Sequence, residues 1–181
     1  MGGAMGKPVP RVVLLGLDGC GKTCIVRRLM HQEIGFTSPT FGHTISRVES
    51  AGTACDVVDV GGAPEMRNYW MTYAEGSVGI IFVIDCSDRR RLEEAGAELR
   101  RVLAQPTAAG LPVLILANKQ DVVDALPGDK LVQALNLSAI RDRDWHVQPC
   151  SSRANQGVDE GTRWLLAQIR LLASQRGWGR R

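Results

Sequence analysis

Apolar residues along the chain fall into short unbroken runs, separated by longer stretches in which they recur every three or four positions. The runs are Arg11 to Leu15 (Arg-Val-Val-Leu-Leu), Val78 to Asp85 and Val113 to Ala117. β-Branched and aliphatic residues that follow one another without alternation predict strands buried on both faces, as in a parallel sheet. Val78 to Asp85 is the most apolar of them and is expected at the centre. Trp145 to Pro149 predicts a further brief strand, and Gly42 to Asp59 predicts two, joined by a hairpin-like turn at Ser50-Ala51-Gly52.

Helical spacing appears from Lys22 to Met30, with Ile25, Val26, Leu29 and Met30 on the inner face. It returns at Leu92, Leu99, Val102 and Leu103, in a helix that ends near Gln105-Pro106. A short helix carries Leu131, Val132 and Leu135, with Asp129 as its expected cap. Val158 to Ser174 forms the last, with Trp164, Leu165, Ile169 and Leu172 inward. Strands alternating with helices predict an α/β fold, a mostly parallel sheet covered by helices on both faces.

The 181 residues suit one domain. We expect a flexible segment at residues 1–10, a single folded domain over 11–174 and a flexible tail at 175–181. A net charge of +3, without a dense basic stripe interleaved with aromatics, gives no argument for nucleic acid. The longest apolar run, Val78 to Ile84, falls far short of the ~20 residues of a membrane span. Met1 to Pro10 lacks the apolar core of a secretory signal. Cys20, Cys24, Cys55, Cys86 and Cys150 are scattered without paired or metal-type spacing, so a reducing, cytoplasmic setting is expected. His31, His43 and His146 likewise lack metal spacing, and Arg89-Arg90-Arg91 reads as a solvated helix start.

Only four of the 22 basic residues are lysines, and one of them stands in the strongest motif, Gly16-Leu17-Asp18-Gly19-Cys20-Gly21-Lys22-Thr23. Glycine, four residues, then Gly-Lys-Thr, placed between a strand and a helix, is the phosphate-binding loop pattern. Its glycines let the backbone curl so that N–H groups from Asp18 to Cys24 point at one anionic centre, and the helix adds its positive end. Lys22 can reach the outer phosphates as a compact charge, and the Thr23 hydroxyl can ligate Mg²⁺. Cys20 lies inside the loop as a small filler, although a thiol near a helix N-terminus can also be oxidation-sensitive.

Asn118-Lys119-Gln120-Asp121, at the end of the strand Val113 to Ala117, selects the base. The Asp121 carboxylate can accept from guanine's ring N–H and exocyclic amino group together; adenine leaves it unpaired. Lys119 can lay its stem along the base, and Asn118 can tie this loop to the phosphate loop. Asp59-Val60-Gly61-Gly62 ends another strand: Asp59 is placed to hold Mg²⁺ through a water and the Gly62 N–H to meet a γ-phosphate. Thr40, after Pro39, supplies the second hydroxyl for the metal.

Gly-Leu-Asp-x-x-Gly-Lys-Thr, Pro39-Thr40, Asp59-Val60-Gly61-Gly62, Asn118-Lys119-Gln120-Asp121 and the Trp70 region together resemble the ADP-ribosylation-factor (Arf) family of small GTPases, over about Arg11 to Ala173. Ser38 to Thr40, Leu135-Asn136-Leu137 and Ile140-Arg141-Asp142-Arg143 lean toward the Arf-like subgroup that releases lipidated cargo from carrier proteins. The resemblance implies a six-stranded sheet, binding of GTP or GDP with Mg²⁺, a part in trafficking, and switch segments at about residues 34–43 and 61–73 for effectors. It further implies an exchange factor, an activating protein, a monomeric state, and backbone N–H groups of Cys150-Ser151-Ser152 beside guanine's carbonyl oxygen.

The departures are equally informative. Ala63 stands where the family has its water-positioning glutamine, and a methyl group cannot orient a nucleophilic water, so intrinsic hydrolysis should be very slow. The family's aromatic effector patch maps to His43, Val58 and Tyr73, where only the tyrosine is kept. Gly2 is present for acylation, but Gly6 stands where that pattern prefers Ser or Thr, and three glycines with two prolines are poor helix material. Trp178, Arg180 and Arg181 fall short of the clusters of about 4–8 basic residues that capture membranes. Membrane contact is therefore expected to be peripheral at most. Two readings stay open: a GTPase that an activating protein accelerates, and a GTP-loaded binding module that works by nucleotide exchange. An ATP-using P-loop kinase is disfavoured by Asp121.

Overall fold

The computed structural model describes residues 9–50 and 52–175. The expectations for the leading segment through Pro8, for Ala51 at the hairpin turn and for the tail from Arg176 lie outside these residues.

Six strands form one sheet: β1 (Arg11–Gly16), β2 (His43–Ser50), β3 (Thr53–Val60), β4 (Gly79–Asp85), β5 (Val113–Asn118) and β6 (Trp145–Pro149), in the order β2-β3-β1-β4-β5-β6. β2 and β3 pair antiparallel as the hairpin, and all other pairs are parallel. The unbroken apolar runs are explained by burial on both faces. Along β1, Val13 and Leu15 enter one core with Phe82, Trp70 and Leu99, while Val12 and Leu14 enter the other with Ile25, Leu29, Leu165 and Ile169.

Helices α1 (Lys22–Leu29) and α6 (Val158–Gln175) cover the second core. On the opposite face lie α2 (Pro64–Arg67), α3 (Trp70–Tyr73), α4 (Leu92–Leu103) and α5 (Gly128–Ala134), of which α3, α4 and α5 supply Trp70, Leu99 and Leu131 to the first core. Among the described residues no helix is long and apolar enough to cross a membrane.

Three expectations are corrected. Asp129 is not the cap of α5: the helix begins at Gly128 behind Pro127, without a side-chain cap bond, so Asp129 lies in the first turn where its charge meets the helix dipole. The terminal helix includes Gln175, one residue into the expected tail. Arg89–Arg91 is the expected helix start, a 3₁₀ turn leading into α4 with Arg89 and Arg90 exposed, and only Arg91 departs from the solvated reading: it is half-buried and pairs with Asp18 and Glu94.

The strand order departs from sequence order on both sides of β1, which opens a crevice at the carboxyl ends of β1, β3 and β4, where open α/β sheets take their ligands.

Candidate functional site

The loop after β1 enters α1 through Gly21, whose φ of +100° a side chain rarely adopts. A Cβ there would also meet Asn118 Nδ2 at 2.5 Å. The first helical hydrogen bond is from the Ile25 N–H to the Gly21 carbonyl at 3.0 Å, and Gly21 has no side-chain cap. Among the described residues the N–H groups of Gly19, Cys20, Gly21, Lys22, Thr23 and Cys24 therefore have no backbone acceptor, a ring of donors at a positive helix end. Asp18 differs: its N–H donates to the Gly62 carbonyl at 3.2 Å. Lys22 is buried and its Nζ donates to the carbonyls of Gly16 and Leu17 at 2.8 and 2.9 Å. Cys20 is buried, and burial pushes its thiol up, which makes it a filler rather than a reactive group.

Thr23, Thr40 and Asp59 come from three separate segments and meet. Thr23 Oγ1 donates to Asp59 Oδ2 at 2.8 Å and lies 3.1 Å from Thr40 Oγ1. The other Asp59 oxygen, Oδ1, is buried without a partner. Burial raises the Asp59 carboxyl above the usual aspartate range, against the pull of the Thr23 hydroxyl. Two hydroxyls and a carboxylate with one unpaired oxygen suit a hard divalent cation that keeps part of its water shell. The residues present thus fit the magnesium that the motif implies.

Asn118 is fully buried at the end of β5. Its Nδ2 donates to the Cys20 carbonyl at 2.9 Å and its Oδ1 accepts from the Ser152 N–H at 3.0 Å, so it joins the loops after β1, β5 and β6. Lys119 takes a positive φ of 65° and its Nζ pairs with Asp85 Oδ2 at 2.6 Å. Burial would raise the Asp85 carboxyl, but Lys119 and Ser87 outweigh it and the net pKa is lowered. Asp121 is exposed, and the Ser151 hydroxyl braces its Oδ1 at 2.5 Å.

The N–H groups of Cys150, Ser151 and Ser152 already donate to the Ala117 carbonyl, the Gln156 carbonyl and Asn118 Oδ1. The expected donation from this stretch to a base oxygen is therefore not pre-formed. Arg28, on α1, holds the same loop by donating to the carbonyls of Ser152 and Arg153 at 2.7 and 2.9 Å.

The segments expected to switch lie against this crevice. A Cβ on Gly61 would meet the Thr40 carbonyl at 2.4 Å, and one on Gly62 would meet the Gly16 carbonyl at 2.4 Å. Phe36 and Phe41 are 94% and 89% exposed, so the first segment turns two phenylalanines to solvent. His43 stacks on Tyr73 with ring centroids 4.3 Å apart, and Val58 is buried. Ala63 precedes α2 in extended geometry, imposed by the following Pro64.

Four side chains at the site escaped the sequence reading. Asp85 was hidden as the last residue of an apolar run; its register opposite Asn118 is the signal that marks it. Arg67, Arg91 and Glu94 form an ion-pair cluster around Asp18, which only the three-dimensional packing brings together.

A glycine loop between β1 and α1, a hydroxyl–carboxylate cluster beside it and an Asn-Lys-x-Asp loop two strands away define a P-loop nucleotide-binding protein. The sequence pattern of the ADP-ribosylation factor family matches residues 4–169, and the chain belongs to that family. It is 38% identical over 160 residues to ADP-ribosylation factor-like protein 3 of Chlamydomonas reinhardtii, covering 88% of this chain and 90% of that protein. With the protein of the same description in Caenorhabditis elegans it shares 38% over 161 residues, 88% of each. The solved Arl6 BBS3 small GTPase of Trypanosoma brucei, with the nucleotide analogue GppNp bound, superposes with a TM-score of 0.82 at 29% identity, over 90% of this chain and 98% of that one. The chain is an Arf-like small GTPase, a nucleotide-binding switch that takes GTP or GDP with Mg²⁺.

Proposed function

We propose that Lys22 and the N–H groups of Gly19 to Cys24 hold the phosphates, that Thr23, Thr40 and Asp59 hold Mg²⁺, and that Asn118, Lys119 and Asp121 read guanine, with Ser151 and Ser152 bracing the last two loops. The observation that carries this reading is the meeting of Thr23, Thr40 and Asp59 with Asp59 Oδ1 unpaired. Magnesium, when bound, neutralises charge on the outer phosphates. Thr40 and the Gly62 N–H answer to the terminal phosphate, so residues 34–43 and 61–73 are ordered with GTP and released with GDP. A partner must prefer the ordered form for anything to be switched.

The effector surface we propose centres on the His43–Tyr73 stack, flanked by exposed Phe41, Ile45 and Tyr69. An exchange factor reloads the site and an activating protein accelerates a hydrolysis that Ala63 leaves slow. A second reading, a GTP-loaded module that scarcely hydrolyses, is favoured by the same alanine. The unpaired and mostly buried cysteines support a reducing, cytoplasmic setting, with a monomer touching membranes peripherally at most.

The test is nucleotide selectivity. With Mg²⁺, fluorescent guanine nucleotides should give a saturable signal, and Asp121→Asn should weaken GTP and gain xanthine nucleotide, because the amide can donate to xanthine's carbonyl. Unchanged GTP affinity would count against the base contact; no saturable signal in the wild type would end the proposal.

A further inference from the structure

A carboxylate is an awkward neighbour for a triphosphate, yet Asp18 lies in the phosphate loop. A Cβ on Gly62 would stand 2.5 Å from the Asp18 backbone nitrogen, and a single guanidinium, that of Arg67, reaches both the Gly62 carbonyl and the Asp18 carboxylate, so this carboxylate lies near the residue proposed to meet the terminal phosphate. A free carboxylate at that place would repel an incoming γ-phosphate more than it would repel a nucleotide one phosphate shorter.

The carboxylate is not free. Arg91 donates Nη2 to Oδ1 at 2.9 Å and Nη1 to Oδ2 at 3.4 Å, and Nη1 also reaches the Asp18 carbonyl at 3.2 Å. Arg67 adds Nη2 to Oδ1 at 3.4 Å. The Arg91 bond is the chief reason that the Asp18 carboxyl sits below the usual aspartate range. Both guanidiniums are held from behind by one residue: Glu94 Oε2 accepts from Arg91 Nε at 2.8 Å and Oε1 from Arg67 Nη1 at 2.7 Å. Arg67 is buried and spends its Nε on the Gly62 carbonyl at 3.0 Å, so it is tied to the switch, whereas Arg91 is committed to Asp18 and Glu94.

We infer that Arg91, backed by Glu94, is a positioning residue that neutralises Asp18 and thereby sets the preference for a triphosphate over a diphosphate. This rests on the nucleotide reading above and adds to it a determinant of which nucleotide is retained. Because Asp18 and Arg91 are partly solvated, water screens the effect, and it is a matter of a few-fold.

The experiment compares dissociation constants for fluorescent GppNp and fluorescent GDP, both with Mg²⁺, in wild type, Arg91→Ala and the double variant Arg91→Ala with Asp18→Asn. Arg91→Ala should weaken GppNp about three- to fivefold relative to GDP. Asp18→Asn in the same chain should return the ratio to the wild-type value, since the charge in need of compensation is gone. A ratio is read rather than an absolute affinity, so partial loss of folded protein cancels. An unmoved ratio in Arg91→Ala overturns the inference. So does a ratio that the double variant fails to restore, because Arg91 would then act only through packing. Wild type that binds neither nucleotide removes the underlying reading and the inference with it.

Discussion

Asn118 donates from Nδ2 to the carbonyl of Cys20 at 2.9 Å although 98 residues separate them in the chain. With its Oδ1 accepting from Ser152, one buried amide links the loops at the ends of β1, β5 and β6. Asn118→Ala leaves the Cys20 carbonyl and the Ser152 N–H, both on buried residues, without partners, at a cost of about 2–4 kcal/mol. Chemical denaturation should show that loss, and bound guanine nucleotide should dissociate faster. A variant within about 0.5 kcal/mol of wild type would mean that the three loops are held independently.

Trp70 ties residues 61–73, the second segment proposed to switch, to the core. It is fully buried, packs edge-on against Phe82 at 6.0 Å and 82°, and donates Nε1 to the Gly61 carbonyl at 2.9 Å. Trp70→Ala should cost about 3–5 kcal/mol through the cavity it leaves. Trp70→Phe removes the hydrogen bond together with part of the buried ring and should cost about 1–3 kcal/mol. If the phenylalanine variant is as stable as wild type, the Gly61 carbonyl finds water and the anchor is packing alone.

All six strands, the two long helices and the loops that carry chemistry could be read from the sequence, for one physical reason: each is specified locally. A doubly buried strand is an unbroken apolar run, a phosphate loop is a glycine pattern, and Asn118 was legible as a tie because its motif sits at a strand end. Helices α2 and α3 were not, since four residues each are too short for any periodicity. The Asp18–Arg91–Glu94–Arg67 cluster was not either. Three successive arginines ahead of a helix look the same whether they face water or a carboxylate 73 residues away. Charge partners of that separation are set by how α4 lies on the sheet, which no local pattern encodes.

The same cluster makes stability depend on acid. Arg91 first and Arg67 second pull the Glu94 carboxyl from 4.5 down to about 2. On acidification the unfolded chain therefore takes up this proton before the folded one does. What Glu94 contributes is complete above pH 4.5 and is lost as pH falls from there to about 2. Asp18, also lowered, acts in the same direction. Because Glu94 is 39% exposed, solvent keeps its share below about 1 kcal/mol. Denaturation midpoints measured from pH 7 to pH 2 should fall less steeply between 4.5 and 2 in Glu94→Gln than in wild type, and parallel curves would show that the ion pairs add nothing to stability.

Ala63 is the residue on which, in the function proposed above, hydrolysis turns. It precedes α2 with φ −60° and ψ 148°, its carbonyl accepts from the Met66 N–H at 2.9 Å, and its side chain is half-buried at the surface. None of these contacts involves the methyl group, so Ala63→Gln should fold with stability within about 0.5 kcal/mol of wild type. A glutamine amide there can donate to and accept from a water, which the methyl cannot, and single-turnover hydrolysis of bound GTP should rise at least about tenfold, equivalent to about 1.4 kcal/mol off the barrier. That outcome means the rest of the site is competent and only the water-orienting group is missing, leaving a place for an activating protein to supply it. Equal rates that are both slow favour the GTP-loaded binding module, since other groups must then be out of place. Wild type that already hydrolyses as fast as the glutamine variant would show that water is oriented by something other than the side chain at position 63.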